Sequence, residues 1–146
     1  MNKLGTPWDF ANKYTSPDRL LTLDFGYVGE IAMGAPLSGE CFLKIQGKRF
    51  KLDGMFGGPI VWNESSKKAA IPYWTRNRLQ KLAIIDINEM KILISKKEFR
   101  VIELSKYENE LVYGIDSPIH QTEKIEFNVQ TEKYSKKIEI IDYDYI

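Results

Sequence analysis

Apolar and polar residues alternate with a period of two along most of this chain, the spacing of half-buried β-strands. Leu21, Leu23 and Phe25 alternate with Thr22 and Asp24; Gly26 and Gly29 interrupt the pattern, and Ile31 and Met33 resume it. Residues 34–39 (Gly-Ala-Pro-Leu-Ser-Gly) read as a loop. Residues 41–45 and 49–52 flank Gln46-Gly47-Lys48, a hairpin whose glycine supplies the turn. A glycine-rich stretch, residues 54–59, precedes a short strand at 60–62. Residues 69–74 form another strand. Pro72 lacks an N–H, which places that strand at an edge or marks a bulge or break.

The clearest strands come next. Residues 82–87 and 91–95 flank Asn88-Glu89-Met90, and residues 99–104 and 110–115 flank residues 105–109. Residues 124–131 and 137–143 read as a last pair, with Ile125, Phe127 and Val129 on one face and Ile138 and Ile140 on another. Helical spacing is nearly absent. Thr6-Pro7-Trp8-Asp9 reads as a helix start, with Thr6 as cap, Pro7 in the first turn and Asp9 near the positive end of the dipole. One or two turns over residues 8–14 would end at Ser16-Pro17-Asp18. The plainer reading is a turn that lays Trp8 and Tyr14 onto the core. Residues 75–82 are the other segment that reads as a turn of helix.

These patterns predict an all-β fold of roughly ten short strands, mainly an antiparallel meander, forming a sheet, a sandwich or a partial barrel. At most one short N-terminal helix is expected, and residues 1–146 form a single domain. An apolar run ending in an acid recurs at Asp24, Asp86, Glu103 and Asp142, but without a regular period, and the chain is too short for a propeller.

Composition narrows the class further. With 43% hydrophobic, 28% charged and 12% aromatic residues, the chain is that of an ordinary folded domain able to bury a core without staples. One cysteine, Cys41, excludes an intramolecular disulfide and a Cys-rich zinc site. Residues 1–14 lack the apolar core of a signal peptide, and apolar runs such as 82–85 are too short to span a membrane. A soluble cytoplasmic protein is expected.

Charge is distributed unevenly. Residues 1–53 hold 7 Lys or Arg and 6 Asp or Glu; residues 54–100 hold 9 and 4, a net of +5; residues 101–146 hold 5 and 10, a net of −5. The total of +1 conceals this asymmetry, which concerns what the surface attracts.

Candidate chemistry is sparse. His120, the single histidine, lies in a loop after Ser117-Pro118-Ile119, and any Ser-His-Asp or Cys-His arrangement must use it. Cys41 alternates within a strand and reads as a buried thiol. Asp142 and Asp144 share one face of an extended segment but lack the pattern of a calcium loop. The glycine-rich stretch lacks the Lys-Ser/Thr ending of a phosphate-binding loop. No metal, cofactor or catalytic residue is assigned.

The expectation is therefore a non-catalytic protein whose partner is another protein. Its sharper form is an immunity or antitoxin protein that caps a basic bacterial toxin domain with an acidic surface. The residues assigned to that contact are Glu126, Glu139, Asp142, Tyr143, Asp144 and Tyr145 of the acidic third, with Tyr73, Trp74 and Arg76 of the basic middle. Aromatics and arginine are common interface anchors. The basic middle also has the residue mixture of a nucleic-acid surface, but the acidic third weighs against that partner. The alternative is a β module for a small ligand or carbohydrate, lined by Trp62, Tyr73 and Trp74. A hydrolase or nuclease using His120 or a carboxylate cluster ranks third. Monomer and homodimer are left open.

Overall fold

A computed structural model describes residues 4–30 and 32–142. Among them are fifteen strands and no helix: β1 (Gly5–Thr6), β2 (Asp9–Phe10), β3 (Lys13–Thr15), β4 (Leu21–Glu30), β5 (Leu37–Ile45), β6 (Lys48–Lys51), β7 (Val61–Trp62), β8 (Lys68–Trp74), β9 (Gln80–Asp86), β10 (Lys91–Phe99), β11 (Ile102–Glu108), β12 (Leu111–Asp116), β13 (Glu123–Asn128), β14 (Tyr134–Glu139) and β15 (Ile141–Asp142). The all-β fold matches the periodicity.

The strands build three layers. A front sheet has the order β3-β4-β5-β6-β15, a central sheet β7-β8-β9-β10-β14, and a back sheet β11-β12-β13. Every ladder is antiparallel. The central sheet is apolar on both faces. Ala69, Ile71, Ala83, Ile85, Ile92 and Ile94 join Leu23, Phe25 and Leu43 of the front sheet in one core. Ala70, Leu82 and Ile84 join Ile102, Leu104, Val112, Ile125 and Phe127 in a second. This explains the unbroken run Leu82-Ala83-Ile84-Ile85: a strand covered on both sides has no polar phase.

The front and central sheets are joined at several places. At Ile140 the chain leaves β14 in the central sheet and enters β15 in the front sheet, where Ile141 pairs with Lys51. Elsewhere Phe56, fully buried, bridges Gly39 of β5 and Tyr73 of β8. A hydrogen bond from Trp62 Nε1 to Tyr14 O at 3.0 Å then ties β7 to β3. Gln80 couples the central sheet to the back one: its buried Oε1 accepts from Ile102 N at 2.6 Å.

Pro72 lies inside β8, opposite Leu82 of β9. Its carbonyl accepts from Gly57 N at 2.9 Å, so its nitrogen faces the irregular segment 56–59 rather than a ladder. The proline therefore sits where the sheet is broken, as its missing donor requires. The glycine-rich stretch is tight for packing reasons. A Cβ at Gly58 would lie 2.6 Å from the Phe10 ring, and one at Gly54, where φ is +128°, 2.6 Å from Tyr73.

Of the two readings of residues 6–14 the turn holds, with Tyr14 buried in the core, and no helix follows Thr6. Thr6 Oγ1 accepts from Trp8 N at 3.3 Å and Asp9 N at 3.2 Å, as a cap would, but the chain returns at once as β2 paired with β1. The same hydroxyl chemistry serves a turn as readily as a helix start. Residues 75–82 likewise hold a turn and the start of β9. Nor do residues 124–131 and 137–143 form a hairpin: β13 pairs with β12 and β14 pairs with β10, so the turn between them carries the chain from the back sheet to the central one. The hairpins β5–β6, β9–β10 and β11–β12 form as expected, with shifted ends.

The two cores should contribute separately. Ile84→Ala and Ile85→Ala, in neighbouring positions on opposite faces, are each expected to cost about 2–5 kcal/mol. Leu20→Ala, at an exposed position, should change stability by less than about 0.5 kcal/mol. Urea unfolding of the three variants checks this; a small loss at either isoleucine would contradict a fully packed core on that face.

Candidate interaction surfaces

The most exposed large apolar side chains near one another in sequence are at the far end of the β4–β5 hairpin. Tyr27 is 87% and Met33 99% exposed. A register shift between Phe25 and Val28 turns this end of β4. The end is fastened to the N-terminal hairpin: Leu37 N donates to Pro7 O at 3.0 Å, and Trp8 Nε1 donates to Gly34 O at 3.0 Å. Within it, Gly34 N donates to Glu30 Oε2 at 3.2 Å and Ala35 N to Ala32 O at 2.9 Å. No Lys or Arg occurs between Arg19 and Lys44, whereas Asp24, Glu30 and Glu40 do. Asp24 and Glu40 are paired with Lys44 and Lys51, so the result is an apolar projection with one carboxylate, Glu30, beside it.

The outer face of the back sheet is the second surface. Leu111, Tyr113 and Ile115 of β12 are half-buried there, between Glu103, Lys106 and Glu108 of β11 and Lys124, Glu126 and Asn128 of β13. Lys106 pairs with Glu108 at 3.6 Å and lies 4.8 Å from the Tyr113 ring centroid; Lys124 pairs with Glu126 at 3.0 Å. Two of the acids are thus answered by lysines of their own sheet. Partial burial pushes the Glu103 carboxyl above the usual glutamate range.

The residues assigned from sequence do not share one surface. Glu126 lies on the back sheet, paired with Lys124. Glu139 ends β14 and lines, with Lys51, Asp53, Lys137, Ile138 and Ile141, a cleft of about 570 Å³ where front and central sheets part. Asp142 pairs through its backbone with Phe50. Tyr143, Asp144 and Tyr145 lie outside the described residues. Trp74 is buried and its Nε1 donates to Leu37 O at 3.3 Å. Tyr73 is half-buried, edge-on to Phe56 at 5.6 Å, and Arg76 is exposed in the turn before β9. Trp62 Nε1 donates to Tyr14 O and Trp74 Nε1 to Leu37 O, and Trp62 lines a cleft with Tyr107. Sequence reading passed over Tyr27, Met33 and Trp8, because an apolar residue at an alternating position looks like core.

Cys41 is fully buried; desolvation, with the negative charge of Asp24, pushes its thiol far above the ordinary range and keeps it protonated and inert. His120 is exposed in the loop between β12 and β13. Among the described residues, no group of three or more His, Cys, Asp or Glu is arranged to hold a metal ion. No described helix is long and apolar enough to cross a membrane. The ion pairs among the described residues join Asp24 to Lys44, Glu40 to Lys51, Lys106 to Glu108 and Lys124 to Glu126; none joins the basic middle to the acidic third. Comparisons with protein-family models, curated proteins and solved structures found no match.

Glu103 gives a measurable pH signature. Its folded pKa lies above its unfolded one, so the native state holds the proton longer and stability falls as pH rises through that interval. Glu103→Gln is expected to stabilise the fold at about pH 7 and to leave it unchanged at about pH 3, where both states are protonated. Thermal unfolding at the two pH values checks this; equal effects at both would remove the carboxylate as the cause.

Proposed function

We propose that this chain is a non-catalytic protein-binding domain and that the end of the β4–β5 hairpin is the surface it offers. The carrying observation is the near-complete exposure of Tyr27 and Met33 on a hairpin whose backbone is fastened at Pro7 and Gly34. Aromatic residues and methionine are enriched at protein interfaces, and a preorganised loop loses little entropy on binding. Glu30, whose Oε2 accepts from Gly34 N, adds a carboxylate beside these side chains, which suits a partner with an apolar hollow and a basic residue at its rim. In the sharper form of this reading, the partner is a basic toxin domain and the chain is the immunity protein that neutralises it.

The test is affinity capture from the host, followed by titration of the purified partner with Tyr27→Ser/Met33→Ser. The double variant should retain its fold, since both side chains are exposed, and bind at least tenfold more weakly, about 1.4 kcal/mol. Undiminished affinity would remove the hairpin from the interface.

One observation favours a second reading, a small-ligand module. Tyr107 lines two clefts of about 360 and 350 Å³, one beside Trp62 and the other beside Asn63 and Lys68, and its buried hydroxyl has no partner among the described residues. Here a sugar panel should change tryptophan fluorescence, and Tyr107→Phe should weaken the response. An unresponsive protein would dispose of this reading.

A further inference from the structure

A bulge in β10 gathers lysines at one corner of the central sheet. The register of β10 against β9 slips between Ile94 and Glu98, and against β14 between Ile94 and Ser95. Ser95 fills the gap: its hydroxyl accepts from Leu82 N at 2.9 Å and donates to Lys97 O at 2.8 Å. Lys96 and Lys97 are both turned to solvent. Lys96 N donates to Lys133 O at 2.8 Å, which fastens a third lysine beside them. These three, with Thr131 and Glu132, line a cleft of about 430 Å³. Lys81 Nζ donates to Ser135 Oγ at 3.1 Å, and Ser135 Oγ in turn donates to Ser95 O at 3.1 Å. Lys136, opposite Ile94, places its Nζ 3.4 Å from Tyr73 Oη.

Five lysines therefore meet two carboxylates here, Glu98 and Glu132, and none of the seven takes part in an ion pair among the described residues. The sequence division into a basic middle and an acidic third hides this corner, because Lys133 and Lys136 belong to the acidic third yet sit beside β10. Lysine is depleted from protein interfaces, whereas its compact ammonium group is a common partner for phosphate. Trp74 is buried and Tyr73 only half-exposed beneath Lys136, so neither offers this corner a platform for stacking successive bases. We propose that this corner binds the phosphate backbone of a nucleic-acid duplex without reading its sequence. The lysines share no residue with the β4–β5 hairpin, and either assignment can fail alone.

The test is fluorescence anisotropy with a labelled DNA duplex and an RNA duplex of the same sequence, titrated over a salt series. With about four phosphates neutralised, log K should fall against log salt with a slope of about −3.6. Replacing Lys96, Lys97 and Lys133 together by Gln should reduce that slope by about 3. Lys106→Gln/Lys124→Gln, on the back sheet, should leave it unchanged, and circular dichroism confirms that both variants fold. Binding of either duplex on these terms supports the proposal, the tighter one identifying the source. Absence of binding at low salt, or equal losses in the two variants, overturns it. Displacement by polyglutamate as effective as by unlabelled duplex of equal charge also overturns it, and assigns the corner to an acidic protein.

Discussion

Leu82 and Ile84 press on the back sheet while Ala83 and Ile85, from the same strand, press on the front one. All four are fully buried, and each large side chain among them is worth about 1.5–3 kcal/mol on leaving water. Both outer layers take their position from this doubly covered strand and its neighbours β8 and β10. Because the central sheet serves two cores at once, the outer sheets need to be apolar on one face only, and their other faces are left for charge and contact.

What those outer surfaces carry follows from how each layer ends. The front sheet sends β4 and β5 past their partners, and the overhang is the Tyr27–Met33 projection, held by the N-terminal hairpin. The central sheet ends in a bulge, and a serine hydroxyl standing in for a ladder bond is what frees two consecutive lysines. The back sheet answers two of its acids, Glu108 and Glu126, with lysines of its own. One apolar surface and one basic surface therefore arise from irregularities in strands whose regular parts form the core.

The strands and the fold class were legible because period two and uninterrupted apolar runs are local properties. The turn of the β9–β10 hairpin is legible, since Asn88 and Glu89 interrupt two such runs, but β10 runs on through its bulge to Phe99. Strand partnership was less legible: nothing near residues 129–134 says that β14 goes to β10, because that choice depends on which faces are still uncovered. Thr6 and Pro7 leave turn and helix both open for a related reason, a capping side chain being indifferent to whether helix or strand follows. The expected contact residues rest on charge and aromatic content along the sequence, and pairs such as Lys124–Glu126 show that neighbours on a strand face answer some of those charges.

The passage of the chain from β14 to β15 bears on how the molecule assembles. Ile141 pairs with Lys51, ninety positions earlier, and Lys91 pairs with Glu139, forty-eight positions later. Hairpins such as β9–β10 can form from neighbouring residues alone, but these two contacts each close a long loop before they return any burial. A nascent chain lacking residues 134–142 has its central sheet open along β10 and its front sheet open along β6. Both exposed edges have free backbone groups, which makes the interval before closure the stage at which chaperones or aggregation would compete with folding.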